Sequence, residues 1–293
     1  MPFETSPLES YPLVLGHEGI GRVVKVGEGI EDAPDIGTRI GLPWIFSTCE
    51  MCKLCRIDQE TLCESQTVRG LHKYGGFAEY ALVDARFVVE IPEEIDSVKG
   101  APLSCAGLTA WSALKKTAIT ADSTVLIVGV GGLGQYAVSI AKSKGATVWV
   151  IDQNRDRLNQ SKVLGADAVF VAQGDTSANI KRAGGADIAL NFVPDTSAWK
   201  LIEQSVNPMS DIVCIALVYD SVDLSMMWLI DGDHRLYGSS VGSRAELKEF
   251  LDFAVNHQQI VDVESILLRD INHALKRLKS VDFKGRLCVD FRI

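Results

Sequence analysis

Four cysteines fall within fifteen residues, Cys49, Cys52, Cys55 and Cys63, and their spacing, C-x2-C-x2-C-x7-C, restricts the local fold more than any other feature of the sequence. Two-residue gaps let a tight turn aim successive sulfurs at one centre, thiolates favour zinc, and four sulfurs close a tetrahedral shell. A closed shell has no position left for a substrate, so the quartet predicts a small lobe built around a structural zinc. The competing reading, disulfide pairing, belongs to an oxidising compartment. The sequence opens MPFETSPLES, with neither a charged leader nor an apolar stretch behind it, and no long apolar run follows, so the expected setting is reducing and cytoplasmic.

At 293 residues the chain is long for one core, and two domains are expected. A net charge of −9 argues against nucleic acid or an anionic membrane as partner, since either favours a basic face; a small-molecule substrate fits better. No internal repeat or low-complexity tract is present.

The first hundred residues carry short β-like runs broken by glycine and proline: Gly19 to Val26, Arg39 to Leu42, Phe77 to Leu82 and Phe87 to Ile91. They predict a β-rich domain, residues 1–105, that carries the zinc lobe. From residue 106 the texture changes to alternating helix and strand, starting with a helix over Thr109 to Lys116 and an apolar strand over Thr124 to Val128. Further strands are expected at Thr147 to Ile151, Ala168 to Val171, Asp187 to Phe192, Ile212 to Leu217 and Arg235 to Ser239, which together make a doubly wound parallel α/β sheet over 106–256. The tail, 257–293, offers a short strand near Ser265 to Leu268, a helix over Ile271 to Leu278 and a strand over Arg286 to Phe291; it is expected to return to the first domain and extend its sheet.

Between the strand at Thr124 and the next helix lies Gly129-Val-Gly131-Gly132-Leu133-Gly134, with Asp152 at the end of the following strand. In that context G-x-G-x-x-G predicts a dinucleotide site. Gly129 permits the tight turn, Gly131 lets backbone approach a pyrophosphate, Gly132 adds room and Gly134 lets the helix pack closely, with helix N-terminal N–H groups meeting the phosphates. Asp152 would bind the adenosine ribose hydroxyls and repel a 2′-phosphate, so NAD is expected over NADP. A plain strand-end turn residue is the alternative for Asp152.

His17 and Glu18 stand together in GHEGIG, and Cys105 lies outside the quartet in PLSCAG. Taken with the quartet and the glycine turn, these segments resemble the zinc-dependent medium-chain alcohol dehydrogenases, particularly forms acting on small primary alcohols. The resemblance covers essentially the whole chain and includes GHEGIGRVVKVGEGI, GGFAEY from Gly75, CAGLTAW from Cys105, GVGGLGQYAVSIAK and GSSVGSRAEL from Gly238. It implies a Rossmann domain and a GroES-like catalytic domain with the active site between them, and a homo-oligomer formed through the nucleotide domain. It also implies that His17 and Cys105 ligate a catalytic zinc with Glu18 as nearby or alternative ligand. By the same analogy Trp44 lines the substrate pocket, Thr109 sits near the nicotinamide, Arg157 near the adenosine ribose and Arg244 near the pyrophosphate, while Leu133 belongs to the cofactor turn. Cys214 and Cys288 read as buried strand residues, not ligands.

The family pattern has a further zinc-ligating cysteine some twenty-odd residues ahead of the His-Glu pair, whereas sixteen residues precede His17 here and none is a cysteine. The expectation is therefore a GroES-like domain incomplete at its N-terminus, with exposed strand edges and a catalytic zinc site in which Glu18 serves as third ligand. Two functions stand against each other: an NAD-linked oxidoreductase interconverting a small alcohol and its aldehyde or ketone, and a non-catalytic homologue that binds NAD and zinc without turnover. A zinc-finger interaction module is disfavoured by the glycine turn and the acidic charge.

Overall fold

The computed structural model describes residues 12–257, 261–280, 283 and 285–293. Contacts divide the chain into two units, one made of residues up to Leu108 with Val241–Ile293, the other of Thr109–Ser240. The division falls inside a helix, and the crossing back comes at Val241, earlier than the expected residue 257. The reason is the helix over 244–257, whose Phe250 meets Gly107 so closely that a Cβ on that glycine would lie 2.6 Å from the ring.

The first unit is built from short strands: β1 (Ile20–Arg22), β2 (Arg39–Gly41), β3 (Ile45–Ser47), β4 (Thr67–Val68) and β5 (Val89–Glu90). β2 lies between antiparallel partners, with Ile40 opposite Gly21 on β1 and opposite Glu90 on β5. β3 and β4, not anticipated from sequence, pair antiparallel on either side of the cysteine lobe. Their inward residues, Ile40, Leu42, Ile45, Val68, Phe87, Val89 and Ile91, form a buried core. The expected strand over Phe77 to Leu82 does not form, and Phe77, Tyr80 and Leu82 are exposed. The turn before it is used otherwise, since the N–H groups of Gly75, Gly76 and Phe77 donate to the carbonyls of Val14, Gly16 and Leu15. A helical turn, α1 (Ser97–Gly100), follows, capped by Asp96, which accepts from the N–H groups of Val98 and Lys99 at 2.9 and 3.0 Å. It leads into α2 (Ala106–Lys115).

The second unit is a six-stranded parallel sheet. In chain order its elements are β6 (Thr124–Val128), α3 (Gly134–Ser143), β7 (Thr147–Asp152), α4 (Arg155–Val163), β8 (Ala168–Val171), α5 (Thr176–Arg182), β9 (Ala186–Asn191), α6 (Ser197–Ser205), β10 (Val206–Cys214), α7 (Met226–Asp231) and β11 (Arg235–Gly238). Spatial order is β11-β10-β9-β6-β7-β8, so the winding reverses at β6, the first strand laid down. Val125 to Val128 are buried on both faces, which explains why β6 reads as an unbroken apolar run and not as an alternating one. β10 starts earlier than expected, at Val206, with a break in register before Asp211, and ends at Cys214 so that Leu217 lies outside the sheet and exposed. Cys214 is half-buried at that strand end.

The chain then adds α8 (Arg244–His257), β12 (Val263–Ile266), α9 (Ile271–Ser280) and β13 (Arg286–Val289) to the first unit. The tail strands do not extend the β1-β2-β5 sheet as expected; they pair parallel with each other, Val263 opposite Arg286. Cys288 lies half-buried on β13. No helix among the described residues is long and apolar enough to cross a membrane.

A Cβ on Gly134 would lie 2.0 Å from the Gly129 carbonyl oxygen, whereas one on Gly131 would meet only an Arg157 nitrogen at 4.0 Å. Gly134→Ala should therefore destabilise the protein by about 1–3 kcal/mol through overpacking, while Gly131→Ala should stay within about 0.5–1 kcal/mol of the parent. Urea denaturation of both variants checks the contrast.

Candidate metal centres and nucleotide turn

The cysteine loop reverses direction at Glu50 and Asp58, both in the left-handed region at φ 56°. It brings the four sulfurs of Cys49, Cys52, Cys55 and Cys63 within 4.8 Å of one another. Measured separations are 3.5 Å for Cys52 to Cys55, 3.6 Å for Cys63 to Cys49 and 4.0 Å for Cys49 to Cys55. A zinc tetrathiolate with bonds of about 2.3 Å has sulfur–sulfur edges of about 3.8 Å, so the donor set fits zinc; a disulfide needs about 2.05 Å, and all four cysteines are free. Backbone N–H groups of Cys52 and Met51 hold the Cys49 thiol below the ordinary range, while burial pushes Cys55 up. Met51, Ile57 and Leu62 are exposed, so the lobe has little core of its own and depends on its sulfurs for cohesion.

A second group joins residues far apart in sequence. His17 and Glu18 precede β1, and Cys105 caps the turn Ala101–Ser104 just before α2. One ligand atom from each lies within 4.8 Å of the other two. The approach to His17 is held by close backbone packing: a Cβ on Gly75 would come 2.3 Å from the carbonyl oxygens of Leu15 and Gly16. Trp44, half-buried, meets the His17 ring edge-on at 4.8 Å between centroids. Burial lowers the His17 pKa, Glu18 opposes that shift and Arg286 adds to it. Glu18 is engaged on both oxygens, one accepting from the Ala106 N–H at 3.2 Å and the other paired with Arg286. A nitrogen, a thiolate sulfur and a carboxylate oxygen suit a zinc with one open position, though Glu18 would have to share its charge with Arg286. Thr109 is buried on α2.

In the other unit the glycine turn joins β6 to α3, with Leu133 as the residue before the helix. The N–H groups of Gly131, Gly132 and Leu133 have no internal acceptor among the described residues, as a phosphate cradle requires. Asp152, 9% exposed at the end of β7, accepts from the Val130 N–H at 2.9 Å and the Asn154 N–H at 2.8 Å. It therefore ties the turn to the neighbouring strand as well as presenting a carboxylate there. Arg157, on α4, approaches Asp152 to 4.0 Å.

Arg244, expected near the pyrophosphate, has its partners within its own unit. Its guanidinium is bound to Glu60 in the cysteine lobe, at 2.7 Å for the shortest contact, because it opens α8 beside that lobe. Three residues escaped the sequence reading. Glu60 and Arg286 show no local pattern, since their partners lie 184 and 268 positions away. Arg69 is 1% exposed with its guanidinium 5.0 Å from the Phe46 ring centroid and donating to the Leu82 carbonyl at 3.0 Å; burial lowers its pKa to about 10. An arginine in a β-like run reads as a surface charge, and nothing local marks it as core.

Residues 3–93 match the alcohol dehydrogenase GroES-like domain and residues 132–256 the zinc-binding dehydrogenase domain. The chain is 35% identical over 292 residues to an alcohol dehydrogenase of Moraxella sp. (strain TAE123), covering 99% of this chain and 85% of that protein. It is 33% identical over 283 residues to an alcohol dehydrogenase of Geobacillus stearothermophilus, covering 96% and 83%. The crystal structure of the alcohol dehydrogenase from Aeropyrum pernix superposes with a TM-score of 0.88 at 31% identity, over 97% of this chain and 84% of that one.

Metal binding at the quartet displaces protons from its thiols, Cys55 among them, whose pKa burial raises. Zinc affinity should therefore rise with pH and fall steeply as pH is lowered from 8 to 5. Equilibrium dialysis against buffered zinc across that range checks the slope; pH-independent retention would contradict thiolate ligation.

Proposed function

The chain belongs to the zinc-type alcohol dehydrogenase family, and on that footing we propose that it interconverts a small alcohol and its aldehyde or ketone with NAD as hydride carrier. The observation that supports this most is the convergence of His17, Glu18 and Cys105 in the unit that also holds the cysteine quartet. Zinc bound by that group would supply a Lewis acid that polarises the alcohol oxygen, and the nicotinamide would accept hydride.

The protein's own residues prepare the site. Burial shifts His17 toward the neutral form a metal ligand needs, and Trp44 packs edge-on against the ring. The same indole would bound the substrate space, favouring short alcohols. Arg286 and the Ala106 N–H orient Glu18. Gly131, Gly132 and Leu133 would receive the pyrophosphate on free N–H groups, and Gly129 and Gly134 shape the turn that presents them. Asp152 keeps lone pairs beyond those bonded to Val130 and Asn154, and these would accept from the adenosine ribose hydroxyls. Its charge supports NAD over NADP; Arg157 would lie beside the same ribose.

One observation favours a second reading, a non-catalytic NAD- and zinc-binding homologue: both oxygens of Glu18 are already engaged, one by the Ala106 N–H and the other by Arg286. Zinc per chain, with NADH formation from ethanol, propanol and benzyl alcohol, separates the two. We expect two zincs and turnover with NAD. His17→Ala should lower the rate on the order of a thousandfold, and Asp152→Ala should narrow the preference for NAD over NADP by roughly tenfold. One zinc with nucleotide binding and no turnover would overturn the catalytic assignment.

A homo-oligomer through the Rossmann unit is part of the same reading. β11 is a sheet edge, and Leu236 on it, with Met226, Met227 and Ile230 on α7, is exposed. Sedimentation equilibrium should give a multimer that Leu236→Lys dissociates; a monomeric parent would refute it.

A further inference from the structure

Glu60 opens the one-turn helix Glu60–Leu62 inside the cysteine lobe and is 3% exposed. The turn is capped by Cys63, whose N–H donates to the Glu60 carbonyl at 3.1 Å, so a quartet sulfur and a buried carboxylate share one rigid turn. Arg244 meets that carboxylate from both backbone and side chain. Its N–H donates to Oε1 at 2.8 Å, its Nε lies 3.0 Å from each oxygen, and its Nη2 donates to Oε2 at 2.7 Å.

The guanidinium has further anchors in the same unit. It lies 3.9 Å over the Phe87 ring centroid, donates to the Arg86 carbonyl, and comes 3.8 Å from the carboxylate of Glu50, the residue after Cys49. Arg86 in turn holds Glu50 at 2.5 Å and Asp84 at 2.7 Å. Two of the four quartet cysteines thus have acidic neighbours within reach of Arg244. On its other side Arg244 begins α8 directly after Ser243, which forms a reciprocal cap with Glu246: Ser243 N–H donates to the Glu246 carboxylate at 3.0 Å and Glu246 N–H to the Ser243 hydroxyl at 3.2 Å. Three residues before Arg244 stands Val241, where the chain re-enters this unit.

We propose that Glu60 and Arg244 form a latch that makes metal retention by the cysteine quartet and ordering of residues 241–247 one linked equilibrium, with Arg244 a positioning residue for the lobe. A buried carboxylate left without its cationic partner is strongly destabilising, and a residue that grips that carboxylate with both its backbone N–H and its guanidinium cannot move independently of it. When the sulfurs lose their metal and spread, the turn carrying Glu60 is released and α8 loses its first anchor. Linkage is reciprocal, so loosening Arg244 must weaken metal retention by the same factor. The latch rests on the reading that the quartet carries zinc.

The test uses the full chain with cobalt(II) in place of zinc, since tetrathiolate absorption reports the quartet and not the His17 group. Glu60→Gln, Arg244→Lys and the double variant Glu60→Gln/Arg244→Gln are compared with the parent for loss of that absorption to a chelator and for amide hydrogen exchange over 241–247. Each single variant should release metal on the order of tenfold faster, with the double variant no worse than the singles. In the parent, metal removal should speed exchange at 241–247, and in Glu60→Gln exchange should already be fast and no longer respond to metal. A loaded quartet whose removal leaves parent exchange unchanged, or changes it equally in Glu60→Gln, overturns the latch alone. A chain that binds no metal at the quartet overturns both the zinc reading and the latch.

Discussion

The close approach of Gly134 to the Gly129 carbonyl is the contact on which the nucleotide-binding half depends, because it lets α3 start directly against the end of the central strand. A side chain there would push the helix away from β6 and leave the turn without its shape. With the helix in place, Val130 comes under Asp152, and the carboxylate of one strand bonds the turn of the next. β6 lies between β9 and β7, where the winding reverses, so the turn opens outside the strand ends with unused N–H groups facing out. Buried apolar strands supply stability, and one missing Cβ supplies the site.

The other unit is held differently. Its strands are two to four residues long, too short for their ladders to maintain it. Buried or half-buried arginines take over much of that work by reaching backbone carbonyls and carboxylates across large sequence separations. Arg39 donates to the carbonyls of Pro92 and Ile95, Arg69 to that of Leu82, Arg286 pairs with Glu18 and Arg244 with Glu60. Such groups are costly to bury singly and strongly specify one arrangement once paired. The cysteine lobe sits in this network, its four sulfurs and the Glu60–Arg244 pair sharing the turn at Glu60–Cys63.

The Rossmann half was legible in sequence almost strand by strand, because a parallel sheet covered on both faces requires continuous apolar runs and a glycine turn at fixed places. Its one clear misreading, β10, came from a strand whose first half is interrupted by Pro208 and by Met209 at φ 61° before its register settles at Asp211. The GroES-like half was less legible. Phe77 to Leu82 reads as a β-like run yet forms no strand, and the two tail strands pair with each other. Pairing is a tertiary choice that side-chain alternation does not carry.

Spacing alone determined what could be read without a fold: the cysteine quartet, the glycine turn with its distant acid, and the adjacent His17 and Glu18 are local patterns whose chemistry follows from residue type and separation. The joining of Cys105 to His17 and Glu18 followed from the family resemblance and not from spacing, whereas tertiary structure alone decided that Arg286 occupies one oxygen of Glu18 and that Arg244 meets the cysteine lobe at Glu60. The physical reason is range. Turn geometry and metal-ligand spacing act over a few bonds and leave their mark in neighbouring residues, whereas a charge finds its partner through whatever surface folding brings within about 4 Å, and no local pattern encodes which surface that will be.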